Sequence, residues 1–250
     1  MKRFYIIMFL IALVSVLTIS GVNAISGEDI LRKVDTNMKY DTIIYTGKME
    51  IYINAKAEPR VKIMKAQAMG DQKAFVEFLN PEDRNTRYLK IDKKMWIYDG
   101  ENENVFLISG HMLKQGMMGS DVSYEDALES DSLYEKYNIE ISGTEKVDDR
   151  VCTIITLTAK VKKVSYEKRK MWIDTERFIA LKVEMYAKSG KLLKESRTLE
   201  VKKIGERYFP VKSVISDKLR QGSKTILSMT DLQLNAPLDE NLFTMQNLQK

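Results

Sequence analysis

The residues able to do covalent chemistry are few in this chain, and none has the partners such chemistry needs. Its single histidine, His111, stands in Ser109-Gly110-His111-Met112 with no second histidine or cysteine near it, so metal-ligand spacing is missing. Gly119-Ser120-Asp121 has the look of a nucleophile turn, but a serine needs an adjacent base to attack, and none is at hand. The Gly-x-Ser-x-Gly and phosphate-cradling glycine patterns are missing as well. Paired acids occur at Asp148-Asp149 and Glu125-Asp126, where a turn and a helix start account for them. The only cysteine, Cys152, lies in the strand-like Val151-Cys152-Thr153-Ile154-Ile155-Thr156-Leu157, which predicts a buried, inert thiol and leaves no intramolecular disulfide. No catalytic residue, metal site or cofactor is expected, and the chain reads as a non-enzyme.

What stands out instead is Met117-Met118-Gly119-Ser120-Asp121-Val122-Ser123-Tyr124-Glu125-Asp126, where two flexible apolar side chains meet an abrupt helix start. Ser123 is placed to cap the first turn, with Asp126 three residues on as a short version of the capping-box acid. Asp121, Glu125 and Asp126 also suit the positive end of a helix. Two readings of the methionines follow from the residues alone. Either they plug a gap in the core at a loop-to-helix junction, or they line an apolar site that adapts to varied partners.

The elements around this segment begin with a targeting pattern. Lys2 and Arg3 precede the apolar run Phe4 to Leu17, and Val22-Asn23-Ala24 offers the small residues a signal peptidase reads. The run is shorter than the roughly 20 apolar residues needed to cross a bilayer, which favours a signal peptide over residues 1–24, cleaved after Ala24. No cysteine stands directly after that site, where Ile25 is found, so the protein itself is not expected to be lipid-modified. A mature chain of Ile25 to Lys250 carries 38 basic and 35 acidic residues, a net charge of +3. The charges are interspersed, no basic run with interleaved aromatics suggests nucleic acid, and weak attraction to an anionic membrane surface stays open.

One amphipathic helix opens the mature chain, with Ser26 and Asp29 as its cap and Ile30, Leu31, Val34 and Met38 on one face. Alternation then takes over: Tyr45, Gly47, Met49, Ile51 and Ile53 against Thr46, Lys48, Glu50 and Tyr52, and Ile179, Leu181, Val183 and Met185 against their polar neighbours. Similar runs, about a dozen in all, are separated by turn chemistry such as Asp99-Gly100-Glu101-Asn102 and Lys188-Ser189-Gly190-Lys191. Residues 25–250 therefore form one mainly β domain, an α+β arrangement in which an up-and-down sheet must curl. Its concave side has to be filled, and the only candidates are the helix at 26–38 and the piece around 123–130.

These residues resemble the periplasmic outer-membrane lipoprotein-sorting proteins, the family of the lipoprotein carrier LolA and its more distant relatives. The resemblance is spread along the mature chain and rests on Phe78-Leu79-Asn80-Pro81, Lys94-Met95-Trp96-Ile97-Tyr98-Asp99 and above all Met118 to Asp126, which is similar to the family's Gly-Ser-Asp-aromatic-Ser-Tyr-Glu-Asp signature. Met171-Trp172-Ile173-Asp174, Tyr208-Phe209-Pro210 and Leu242-Phe243-Thr244 follow in the expected order. It implies an incomplete antiparallel β-barrel of about eleven strands wrapped around short lid helices, with an apolar interior that receives the acyl chains of a lipoprotein or another lipid. It also implies a periplasmic monomer that moves its load toward the outer membrane, between an inner-membrane releasing complex and an outer-membrane acceptor. The chain departs from the best-known carriers at one point. They have an Arg-Pro pair on an early strand, the arginine holding the lid closed, and Lys65-Ala66-Gln67-Ala68-Met69-Gly70 offers neither residue.

Alternation and the signature together select Met49, Ile51, Ile53, Trp96, Tyr98, Met117 and Met118 as cavity-lining residues, with Gly119, Ser120, Asp121, Ser123 and Tyr124 as the lid and its hinge. Each lining residue fits ordinary core equally well. The alternatives to a carrier are an envelope sensor or adaptor that acts through protein contacts on the same scaffold, and a purely structural envelope domain.

Overall fold

The computed structural model describes residues 25–83 and 85–250; the expected signal peptide lies outside the described residues. Helix α1 spans Gly27–Met38, and its start follows from the sequence, because Ser26 Oγ accepts the Asp29 N–H at 3.1 Å. Its apolar face carries Ile30 and Leu31, both buried.

Thirteen strands follow, where the resemblance implied about eleven. They are β1 (Thr42–Tyr52), β2 (Arg60–Met69), β3 (Lys73–Phe78), β4 (Arg87–Ile91), β5 (Lys94–Asp99), β6 (Asn104–Leu107), β7 (Tyr137–Val147), β8 (Arg150–Ala159), β9 (Lys168–Asp174), β10 (Ile179–Tyr186), β11 (Leu192–Ile204), β12 (Arg207–Asp217) and β13 (Lys224–Leu234). All belong to one antiparallel sheet with the order β6-β5-β4-β3-β2-β1-β13-β12-β11-β10-β9-β8-β7. Two meanders, β1 to β6 and β7 to β13, are thus joined where the first strand pairs with the last. The sheet is an incomplete barrel, as the resemblance implied, with β6 and β7 as its free edges.

One consequence of this order governs the rest of the molecule. The connection from β6 to β7, residues 108–136, has to run from one edge of the sheet to the other, so it crosses the interior face. It carries 3-10 turns at Gly110–Lys114 and Met117–Gly119, then α2 (Tyr124–Leu128) and α3 (Leu133–Lys136). Helix α1 covers the other half of that face, packing on β7, β10 and β12.

Three apolar groupings occupy the interior. Under α1 lie Tyr137, Ile155, Leu157, Met171 and Ile173; under the crossing segment lie Met49, Ile51, Met64, Phe78, Tyr88 and Met95; Ile43, Phe209 and Val211 sit between. The outer face of β2 to β5 is apolar too, and the C-terminus covers it. There a 3-10 turn at Glu240–Phe243 and α4 (Met245–Leu248) press Phe243 and Leu248 onto Phe75 and Leu89. Cys152 is fully buried, and burial pushes its thiol up from the ordinary range, as an inert core thiol requires.

Candidate functional site: a lid over a methionine floor

The floor is built by alternation on β1 to β5. Met49 and Ile51 on β1 share a face with Met64 on β2, Phe78 on β3, Tyr88 on β4 and Met95 and Ile97 on β5. Gly47 stands opposite Met64, and a Cβ there would come within 2.8 Å of the Met64 methyl, so the glycine makes room for the longer side chain. On this floor rest Met112, Leu113, Met117, Met118, Tyr124, Ala127 and Leu128 of the crossing segment. Six of the chain's 14 methionines meet here. Their unbranched thioethers repack at little cost.

Polar groups enter this floor sparingly. The Tyr88 hydroxyl lies 3.1 Å from Met118 Sδ and 3.4 Å from the Tyr124 hydroxyl, and the two rings stack with centroids 6.1 Å apart. Burial pushes both phenols up, so they stay neutral at any physiological pH. Lys90, mostly covered, turns its ammonium toward the Ala127 carbonyl at 3.5 Å, and burial pulls its pKa down.

The signature residues fix one end of the lid. Gly116 pairs with Ser123 across a tight loop in which Met117 N–H donates to the Val122 carbonyl at 2.8 Å. A Cβ on Gly116 would strike the Ser120 carbonyl, and Gly119 adopts φ +77° with Arg60 pressed against it, so both glycines are dictated by the loop. Asp121, 2% exposed, accepts from Ser223 Oγ at 2.5 Å, Thr225 Oγ1 at 2.8 Å and the Asp217 N–H at 3.3 Å. Those partners belong to the β12–β13 hairpin and its flanking strands. Ser123 then caps α2 in the full capping box with Asp126 that the sequence suggested.

The other end is held by charge. The Asp126 carboxylate accepts from Tyr166 Oη at 2.6 Å and forms an ion pair with Lys194 of β11. Burial raises its pKa, but the Lys194 ammonium and the hydrogen bonds outweigh this and hold it below the usual carboxylate range. Just past α2, Glu129 receives Arg169 of β9 through Nη2 at 2.6 and 2.7 Å. Arg169 is 7% exposed, and its guanidinium lies against the rings of Tyr137 and Tyr166. An arginine therefore ties the crossing segment to the sheet here. It comes from β9, where no local motif marks it; only the sheet order brings β9 to the lid.

Between α1 and the tail of the crossing segment opens a cleft of about 770 Å³, lined by Asp35, Met38, Tyr40, Asp71, Ser132 and Arg169, among others. Its walls are mixed in polarity, and the apolar floor itself is filled by lid side chains.

The structure brings together only part of the expected lining. Met49 and Ile51 of the floor meet Met117 and Met118 of the crossing segment. Trp96 and Tyr98 lie on the opposite face of β5, beneath the C-terminal turn, while their neighbours Met95 and Ile97 face the lid. Alternation separates the two faces of a strand without saying which is inside, and the C-terminal cover made both apolar. Ile53 is a further correction: it follows the end of β1 and is 50% exposed. Among the expected hinge residues, Ser120, Asp121 and Ser123 are buried and bonded, Tyr124 is stacked on Tyr88, and Gly119 is held at φ +77° against Arg60.

The chain folds as a single curled antiparallel sheet, open at one seam and crossed inside by a short-helix segment. Three solved structures share it. A DUF1329 family protein from Desulfovibrio piger superposes with a TM-score of 0.80 at 23% identity, covering 89% of this chain and 97% of the other. A putative outer membrane lipoprotein-sorting protein domain from Vibrio parahaemolyticus gives 0.78 at 23% identity, with 90% and 98% covered. A LolA superfamily protein from Nitrosomonas europaea gives 0.73 at 20% identity, with 90% and 100% covered. At these identities the likeness is one of fold. No curated protein matches the sequence. Residues 70–250 match the model of a family described as "uncharacterized protein", and the chain belongs to that family.

Proposed function

We propose that this protein is a periplasmic carrier that shelters acyl chains of a lipoprotein or another lipid between its sheet and its crossing segment, and moves them toward the outer membrane without a catalytic step. Residues 1–24 are its signal peptide, cleaved after Ala24, and residues 25–250 its single lipid-binding domain. The observation that carries the reading is the methionine floor under a lid whose far end is tied down by two side-chain contacts, Glu129 to Arg169 and Asp126 to Lys194. Releasing these contacts frees α2 while the Asp121 anchor keeps it attached. An acyl chain then replaces the lid methionines on Met49, Ile51, Met64 and Met95. Each methylene taken from water is worth roughly 0.8 kcal/mol, so about eight supply on the order of 6 kcal/mol before ordering costs. That is enough to load and still release.

Native mass spectrometry of protein purified from an intact envelope, combined with uptake of a fluorescent fatty acid, tests this. Co-purifying lipid and saturable uptake are expected. Met117→Asp should weaken uptake while leaving the domain folded. Protein that carries no lipid and takes up no fatty acid removes the carrier reading.

A further inference from the structure

The strand order makes the molecule electrically polar, and this leads to a docking surface distinct from the lid. Four hairpins emerge at one end of the sheet and are neighbours there: β8–β9, β10–β11, β12–β13 and β1–β2. The last two touch, since a Cβ on Gly222 would lie 2.9 Å from the Ala55 nitrogen. Their turns are basic. The first carries Lys160, Lys162 and Lys163, the second Lys188 and Lys191, the third Lys218 and Arg220, and the fourth Lys56, against only Glu58 and Glu167. Lys56, Lys162, Lys163, Lys188 and Lys191 have no carboxylate partner among the described residues.

The turns at the opposite end of the same strands have the reverse sign. They hold Asp71, Asp148, Asp149, Glu176 and Glu206 against Arg177, and the β4–β5 turn beyond them adds Asp92 and Lys93. Nor does the basic character extend around the whole first end: the β3–β4 and β5–β6 connections carry Glu82, Asp83, Glu101 and Glu103 against Arg84. The cations form an arc from β8 to β2.

Three of the four basic turns also expose an aliphatic side chain: Val161 is 42% exposed, Leu219 56% and Ile53 50%. Branched aliphatic residues at hairpin tips, on an arc of turns that between them carry five lysines with no carboxylate partner among the described residues, suit a surface that is anionic outside and apolar a few ångströms below. Nucleic acid would call for aromatic platforms, and the exposed tips carry none. We infer that the arc of hairpins β8–β9, β10–β11, β12–β13 and β1–β2 docks on an anionic lipid bilayer, with Ile53, Val161 and Leu219 dipping into the headgroup layer. The Asp121 anchor lies against the β12–β13 hairpin, so docking sets the methionine loop beside the membrane. The surface stands independently of acyl binding, and its test can fail or succeed separately from the carrier reading.

Each cation near an anionic surface is worth roughly fivefold in partitioning, so reversing three should cost on the order of 100-fold or more. The experiment is sedimentation of the protein, as processed and purified from the envelope, with vesicles of equal parts phosphatidylglycerol and phosphatidylcholine, and with phosphatidylcholine alone. Binding is expected only to the anionic vesicles and should be lost in high salt. The triple variant K162E/K163E/K188E should not bind, I53S/L219S should bind more weakly, and D148N/D149N at the opposite end should bind as the parent does. All the altered side chains are exposed, so melting curves should match the parent, and fatty-acid uptake free in solution should persist. Equal binding to neutral vesicles, no binding to anionic ones, or full binding by the triple variant would overturn the inference.

Discussion

Over β7 to β9, α1 sets Ile30 and Leu31 against Ile155, Leu157 and Ile173, all 2% exposed or less, whereas over β1 to β5 the crossing segment sets Met117 and Met118 against Met49, Met64 and Met95. The two covers lie on one continuous sheet face, yet they are made differently. Branched and stiff aliphatics interlock in one packing, and large-to-small changes among them leave holes that do not close. Methionines tolerate several packings. The attachments differ in the same sense. α1 is held by apolar burial and by Asn37, whose side chain reaches the Tyr208 and Arg177 carbonyls at 2.6 and 3.1 Å. The lid is held at its far end by ion pairs that a small movement breaks. One half of the interior is a core of stiff aliphatics, and the other is a methionine-rich packing tied at its far end by ion pairs.

The largest effect that could break this contrast is expected in the α1 half. Ile155→Ala should destabilise the whole domain by about 2–5 kcal/mol in denaturant melts, with no local opening of the lid. If it instead opened only a local region, α1 would not be the fixed core. Asp121→Asn comes next: it strips charge from a buried acceptor of three hydrogen bonds and should cost about 1–3 kcal/mol, detaching the whole lid from the β12–β13 hairpin. Glu129→Gln should cost less globally, about 1–2 kcal/mol given the partial exposure of Glu129, but should raise amide exchange selectively across residues 124–136. Exchange that rose equally under α1 would merge the two regions into one cooperative unit.

Smaller still, Met118→Leu conserves volume and should cost under about 1.5 kcal/mol, while narrowing the range of acyl lengths taken up. The same change at Met171, under α1, should alter stability alone. Acid gives the finest test. Asp126 has its folded pKa held below its ordinary 3.8, so its contribution is present above that value and is lost as pH falls through the lower, folded one. Exchange protection of α2 should therefore stay flat from neutral pH down to about pH 4 and decline only below it. A loss of protection in mild acid would point to a different latch.

The helix at the start, the succession of strands along the chain and the capped turn at Ser123 were legible in the sequence because each is set by neighbours a few residues away. Cap chemistry, alternation and turn residues are local devices. The lining was legible only in part. For β5 the pattern Lys94-Met95-Trp96-Ile97-Tyr98-Asp99 marks two apolar faces, and the choice between them depends on the distant segment 236–250 that covers one of them. Arg169 escaped notice because a strand residue among Lys168 and Lys170 looks like any solvated charge until the chain returns to it with Glu129.

By itself the sequence determined a β-rich chain with a Gly-Ser-Asp loop ahead of a capped helix. These follow from composition and short-range spacing, which need no knowledge of what lies across the molecule. Only the tertiary structure decided that β1 pairs with β13, that the connection between the two sheet edges must therefore cross the interior, and that Asp121, Asp126 and Glu129 tie it to three different parts of the sheet. The physical reason is distance along the chain: the latch partners are separated by 40 to 104 residues, and nothing short of the folded sheet brings their charges within hydrogen-bonding reach.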